Sequence, residues 1–148
     1  MQENGSEQSL KLFVVLSRAH KVISEKANKL FADYGLNPTE FAVLELLYHR
    51  GRQPIQKIGS KILLASGSMT YVIDKLQKRG YLKRTICESD RRVTFVDISE
   101  EGRKLLDEIF PVHEQHLHEL MGVLSPEEKA TSIELLKKLG LSIKDLSK

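Results

Sequence analysis

Lys75 to Gly102 constrains the fold more tightly than any other part of the chain. It reads as the end of a helix, a glycine stop at Gly80, two short strands and the start of another helix. Gly80 can take the left-handed backbone that terminates a helix, a conformation costly for residues with a Cβ. Leu82 to Ile86 and Val93 to Ile98 are rich in β-branched and apolar residues, and Ser-Asp-Arg-Arg lies between them, so the spacing predicts a hairpin tipped by two arginines. Ser99 with Glu101 and Gly102 opens the next helix.

The charge distribution gives this hairpin a context. Net charge is only +3 over 148 residues, yet residues 54–92 hold nine basic side chains against three acidic ones. The remainder of the chain is mildly acidic, with 14 basic and 17 acidic residues. A positive surplus confined to one segment suits a surface that neutralises phosphates, with a solvated charged face as the alternative. With 41% hydrophobic residues the chain can build its own core. The apolar cluster Leu10 to Leu16 is interrupted by Lys11 and too short to span a bilayer, so a cytoplasmic location with no membrane partner is expected. A single cysteine, Cys87, excludes an intrachain disulfide framework and a thiolate zinc finger. No nucleophile elbow, phosphate loop or nucleotide-binding glycine fingerprint is present, so neither an enzyme nor a cofactor is expected.

Periodicity predicts six helices around the hairpin, a mainly α chain. The first spans about Ser9 to Tyr34 and stops at Gly35. Asn37 caps a second, with Pro38 at its first position and Glu40 three residues after the cap. Pro54 opens a short third helix through Ile62, Leu63 to Ala65 turn the chain, and Ser66 caps a fourth. Met69, Val72, Ile73 and Leu76 form the inner stripe of that fourth helix, leaving Ser68, Thr70, Tyr71, Asp74, Lys75 and Lys78 on its outer face. Gly59 implies a close helix crossing within this helix-turn-helix. Pro111 should kink or break the fifth helix. Ser125-Pro126-Glu127-Glu128 starts a sixth, expected to end near Leu139-Gly140.

From Leu36 to Leu105 the chain resembles the winged helix-turn-helix core of the MarR family of bacterial transcriptional regulators. The matching residues are Leu36-Asn37-Pro38-Thr39-Glu40-Phe41-Ala42-Val43-Leu44, Met69-Thr70 with Asp74-Lys75-Leu76-Gln77-Lys78-Arg79-Gly80, Asp90-Arg91-Arg92, and Val96 through Arg103. The resemblance implies a winged helix DNA-binding lobe over residues 36–100, with dimerisation helices at 9–34 and 102–146 in a single family-type domain. It also implies a homodimer on a pseudopalindromic operator in double-stranded DNA, with recognition helices roughly 34 Å apart. The bland alternative is that the flanking helices close the monomer's own core.

Residue roles follow from the same resemblance. Thr70 is expected on backbone phosphate, with Ser66, Ser68, Tyr71 and Lys75 at exposed recognition positions. Tyr71 stands where a basic residue is often found, so base preference is not inherited. Arg92 is the expected minor-groove probe and Arg91 a second contact. Asp90 is expected to orient Arg84 or Arg92 rather than touch DNA. Lys83 and Arg84 are expected as phosphate clamps.

Family members are commonly repressors released by a small aromatic or phenolic ligand or by a reactive electrophile. A ligand pocket would involve His20, Phe41, Leu44, Phe110 and His113, although the same residues could simply pack a core. Cys87 in the wing is a possible redox site, its thiol raised by Glu88 or lowered by Arg84 and neighbouring arginines. His113, His116 and His118 with Glu114 and Glu119 raise a metal-responsive alternative, but their spacings point different ways around a helix, so no metal site is assigned. A winged helix used for protein binding is a further alternative, which the basic segment disfavours.

Overall fold

The computed structural model describes residues 5–62 and 68–146. Two compact units are present, residues 1–113 and 114–148. The first begins with α1 (Gly5–Asp33), four residues earlier than periodicity suggested, and Gly35 ends it at φ +74°. Helix α2 (Pro38–Arg50) starts on the expected capping box. Asn37 Oδ1 accepts from the Glu40 N–H at 2.8 Å while Glu40 Oε1 accepts from the Asn37 N–H at 2.9 Å, satisfying two of the donors a helix start leaves bare.

The third helix, α3 (Ile55–Lys61), is shorter than expected, because Pro54 is its N-cap and the end of a strand, β1 (Gln53–Pro54), that local pattern did not suggest. Gly59 does not serve a close crossing: a Cβ there would meet nothing within 4 Å. The recognition helix α4 (Met69–Lys78) is capped by Ser68, whose side chain accepts from the Tyr71 N–H, and not by Ser66. Ser66 and the turn at Leu63 to Ala65 lie outside the described residues.

Gly80, at φ +85°, hands α4 over to β2 (Leu82–Ile86), which pairs antiparallel with β3 (Thr94–Ile98) from Leu82–Ile98 to Ile86–Thr94. β1 joins the other side of β3, Gln53 opposite Val96, giving a three-stranded sheet in the order β1-β3-β2. The core beneath it is one cluster in which Leu44, Leu47, Ile58, Ile73, Leu76, Val96, Leu106 and Ile109 are fully buried. Burial of this stripe, rather than helix propensity, holds α4 in place.

Helix α5 (Glu100–Leu120) continues through Pro111 without a break. Proline removes one backbone bond, and the buried Leu106 and Ile109 anchor the helix just before it. Its start is tight: Ser99 Oγ donates to the Gly80 carbonyl at 2.5 Å and accepts from the Gly102 N–H at 3.1 Å. In the second unit, a 3-10 turn (Met121–Val123) leads to α6 (Pro126–Leu146), which opens on the expected Ser125/Glu128 capping box. α6 runs past Gly140 to Leu146, beyond the expected stop, since a mid-helix glycine costs only about 1 kcal/mol.

Candidate nucleic-acid interface and ligand cavity

At the N-terminal end of α4, Thr70 is exposed and Tyr71 is 68% exposed, both on the face opposite the buried stripe of Val72, Ile73 and Leu76. Their presentation follows from the helical period, which turns every third or fourth residue inward and leaves these free. Lys75 is half exposed and lies 3.8 Å from Glu40 Oε2.

The wing tip is organised by Asp90. Its Oδ1 accepts from the Arg92 backbone N–H at 3.1 Å and from Arg92 Nε at 3.0 Å, and Oδ2 accepts from Nη2 at 3.3 Å. Of the two arginines the sequence offered, Asp90 therefore holds Arg92. These bonds keep the Asp90 carboxyl below its ordinary pKa, the Arg92 side chain being the main cause. The Arg92 side chain nevertheless remains 91% exposed. Gln56 of α3 donates to the Arg92 carbonyl at 3.3 Å, a tether sequence reasoning missed because the two residues are 36 apart. Arg91 and Lys83 are exposed. Arg84 is engaged with Asp74 of α4 and donates to Gln77 Oε1 at 2.7 Å.

Half-buried Cys87 lies beside this tip, its Sγ 3.2 Å from Ser89 Oγ. That hydrogen bond, followed by backbone N–H groups of Asp90 and Ser89, lowers the thiol pKa. The opposing carboxylate is Asp90, not Glu88 as the sequence suggested.

A second feature, a cavity of about 540 Å³, is lined by α1, α2 and the end of α3. Phe31 and Phe41, stacked at 3.9 Å between centroids, supply aromatic wall, and Glu45, His49, Arg50 and Lys61 supply polar groups. Of the five residues expected at a pocket, only Phe41 lines it. His113 packs on the rings of Phe31 and Phe41, and Phe110 packs on His49. Leu44 is fully buried in the core, and exposed His20 faces Ser24. Sequence reasoning missed Glu45, His49, Arg50 and Lys61 as lining residues; the i, i+4 spacing of Glu45 and His49 was the available signal. No cluster of three or more His, Cys, Asp or Glu side chains fit to hold a metal occurs among the described residues.

Burial raises the Glu45 pKa, partly offset by His49. A raised carboxylate binds protons more tightly in the folded chain, so its penalty grows as pH rises above the ordinary carboxylate range. Glu45→Gln should therefore raise the thermal midpoint near pH 7 and leave it unchanged near about pH 4. Melting curves at the two pH values check this, and a midpoint lowered at pH 7 would refute it.

The MarR family model matches residues 36–94, from the turn before α2 through the helix-turn-helix and β2 to the first residue of β3. The HTH-type transcriptional regulator MhqR of Bacillus subtilis (strain 168) is 56% identical over 139 residues, covering 94% of this chain and 96% of that protein. The chain belongs to the MarR family. MarR proteins are DNA-binding transcriptional regulators, and solved MarR folds superpose well. Sco3205 of Streptomyces coelicolor, in complex with DNA, has a TM-score of 0.81 at 19% identity, covering 95% of this chain and 89% of that one. NadR in complex with 4-hydroxyphenylacetate has a TM-score of 0.72 at 21% identity, covering 85% and 89%. No described helix is long and apolar enough to cross a membrane.

Proposed function

We propose that this MarR regulator is a homodimeric repressor that reads a two-fold operator and releases it when a small aromatic acid or phenol enters the cavity. The observation that carries the DNA reading is the pairing of an outward recognition-helix face with a wing whose Arg92 is held by Asp90 and left exposed. Residues 36–100 form the DNA-binding lobe in this reading. Ser68, Thr70, Tyr71 and Lys75 face the major groove, Arg91 and Arg92 the minor groove, and Lys83 the phosphates. Ser66 belongs to the same set.

The helices at 9–34 and 102–146 serve dimerisation. In support, α1 leaves Leu10, Leu12, Phe13, Val14 and Val15 exposed, and α6 buries no residue while exposing Ile133, Leu135, Leu136 and Leu141. Apolar surface on this scale favours a partner, and a second copy supplies the same faces by symmetry.

Support for a ligand of this class comes from the cavity's chemistry. A stacked Phe31/Phe41 wall suits a flat ring, and His49, Arg50 and Lys61 suit a carboxylate or phenolate. NadR binds 4-hydroxyphenylacetate, a molecule of this kind. Lys61 also donates to Gln53 Oε1 at 2.7 Å, and Gln53 pairs with Val96 of β3. An anion that draws Lys61 away from Gln53 would disturb the end of α3 and the base of the wing together.

Selection of bound duplexes from a random pool, then a screen of phenols, quinones and aromatic acids for release, tests the reading. A two-fold consensus and release by a ring-bearing acid or phenol are expected, and failure to enrich any sequence would overturn it. A reactive electrophile would act at Cys87 instead, and release that persists in Cys87→Ser excludes that branch. On the selected operator Arg92→Ala should weaken binding about ten-fold, chiefly at A·T-rich flanks, while Thr70→Ala weakens it uniformly across sequences. Wild-type affinity in both variants would refute these roles.

A further inference from the structure

We propose that Arg84 is a positioning residue, which with Asp74 and Gln77 forms a polar strut fixing the wing's distance from the recognition helix. The inference rests on the DNA reading above and concerns what sets the spacing of the two elements that reading uses.

Arg84 sits in β2, opposite Val96 of β3, which in turn lies opposite Gln53 of β1, so its backbone is locked across the whole sheet. Its guanidinium leaves the sheet and reaches α4. Nη2 pairs with Asp74 and Nη1 donates to Gln77 Oε1 at 2.7 Å. These acceptors are three residues apart on one helical face, so a planar fork can engage both at once, as a lysine ammonium cannot. The strut lines a shallow cleft between helix and strand with Lys78 as the remaining wall. Only 28% of the Arg84 side chain is exposed, against 91% for Arg92.

Engagement with Asp74 argues against a phosphate contact at Arg84. A phosphate reaching this guanidinium would meet the Asp74 carboxylate around a side chain that is mostly covered, whereas Arg92, although paired with Asp90, leaves nearly all of its side chain open to a ligand. What the pair does supply is a fixed distance. Thr70 and Tyr71 lie one turn before Asp74 on α4, and Arg92 lies beyond the far end of β2 across the hairpin. Operator positions read by the helix and by the wing are thereby held in register, and the cost of ordering the wing is met before DNA arrives.

The sign of one variant separates the two roles. Removing Asp74 takes a negative charge from the DNA-facing side, so electrostatics alone predicts tighter binding for Asp74→Ala. A strut predicts the opposite: Asp74→Ala and Arg84→Ala should each weaken affinity for the selected operator about ten-fold, with the double variant no worse than either single one. Arg84→Lys, which keeps the charge but not the fork, should lose affinity as Arg84→Ala does. Arg84→Ala and Arg84→Lys should both leave the slope of log affinity against log salt unchanged, whereas a lost phosphate contact lowers it by about one.

Titrations of the full-length protein from low to high salt provide both readouts, with Arg92→Ala alongside. Tighter or unchanged binding in Asp74→Ala, additive losses, or rescue by Arg84→Lys would overturn the strut. Wild-type affinity and slope in Arg92→Ala would instead overturn the DNA reading itself.

Discussion

Gly102→Ala should lower the thermal midpoint by about 10 °C, from an overpacking cost of about 3 kcal/mol. A Cβ at this position would stand 2.3 Å from the Tyr81 carbonyl oxygen and 2.8 Å from Ile98 Cγ1. The first neighbour is backbone and cannot swing aside. That carbonyl also accepts from the Ser99 N–H at 2.9 Å, so displacing it breaks the link between the start of β2 and the start of α5. The loss therefore falls on the base of the wing, and operator affinity should drop with stability. Gly59→Ala is the control: its Cβ meets open space, and the better helix former should be neutral or slightly stabilising. Thermal melts of both variants check the pair, and a Gly102→Ala midpoint within a degree or two of wild type would refute the close approach.

Glu40→Ala should cost about 2 kcal/mol, because one buried carboxylate serves two attachments. Its side chain is 3% exposed. One oxygen closes the capping box of α2, and the other receives Arg79 Nη1 at 3.3 Å with Lys75 Nζ at 3.8 Å. Arg79 donates as well to the Gly35 carbonyl at 2.9 Å, so the C-terminal end of the recognition helix is bound to the α1–α2 turn. Arg79 is about one-third exposed and Lys75 about half, so solvent discounts the ionic part. Glu40→Gln keeps an acceptor for the Asn37 N–H and loses the charge. It should cost about half as much as Glu40→Ala, with a gap to wild type that narrows in high salt. Denaturant titrations of the three proteins decide: wild-type stability in Glu40→Gln would remove the ionic contribution, and equal losses in Gln and Ala would remove that of the cap.

What the sequence made legible was whatever depends on neighbours within a few residues. The Asn37/Glu40 and Ser125/Glu128 boxes are i, i+3 patterns, and the hairpin is announced by Gly80 and by strands flanking a short polar tip. What stayed hidden depends on partners far along the chain. β1 has two residues and exists only because Gln53 and Pro54 find Val96 and Phe95. Arg84 counts as one more positive charge until Asp74 is seen beside it. Glu45, His49 and Arg50 look like a solvated helix face until Lys61 closes the cavity from α3. Gly59 and Gly102 are the same residue type with opposite demands, and only the surroundings tell them apart.

The order β1-β3-β2 leaves the sheet with two outer strands, and each is closed to further pairing by a different means. β1 is two residues long and ends in Pro54, which has no N–H to offer. β2 carries an exposed lysine, Lys83, a charge on an edge strand that discourages another strand from adding on. Molecules crowded onto adjacent DNA sites would thus bring their wings close without the sheets zipping together into aggregates.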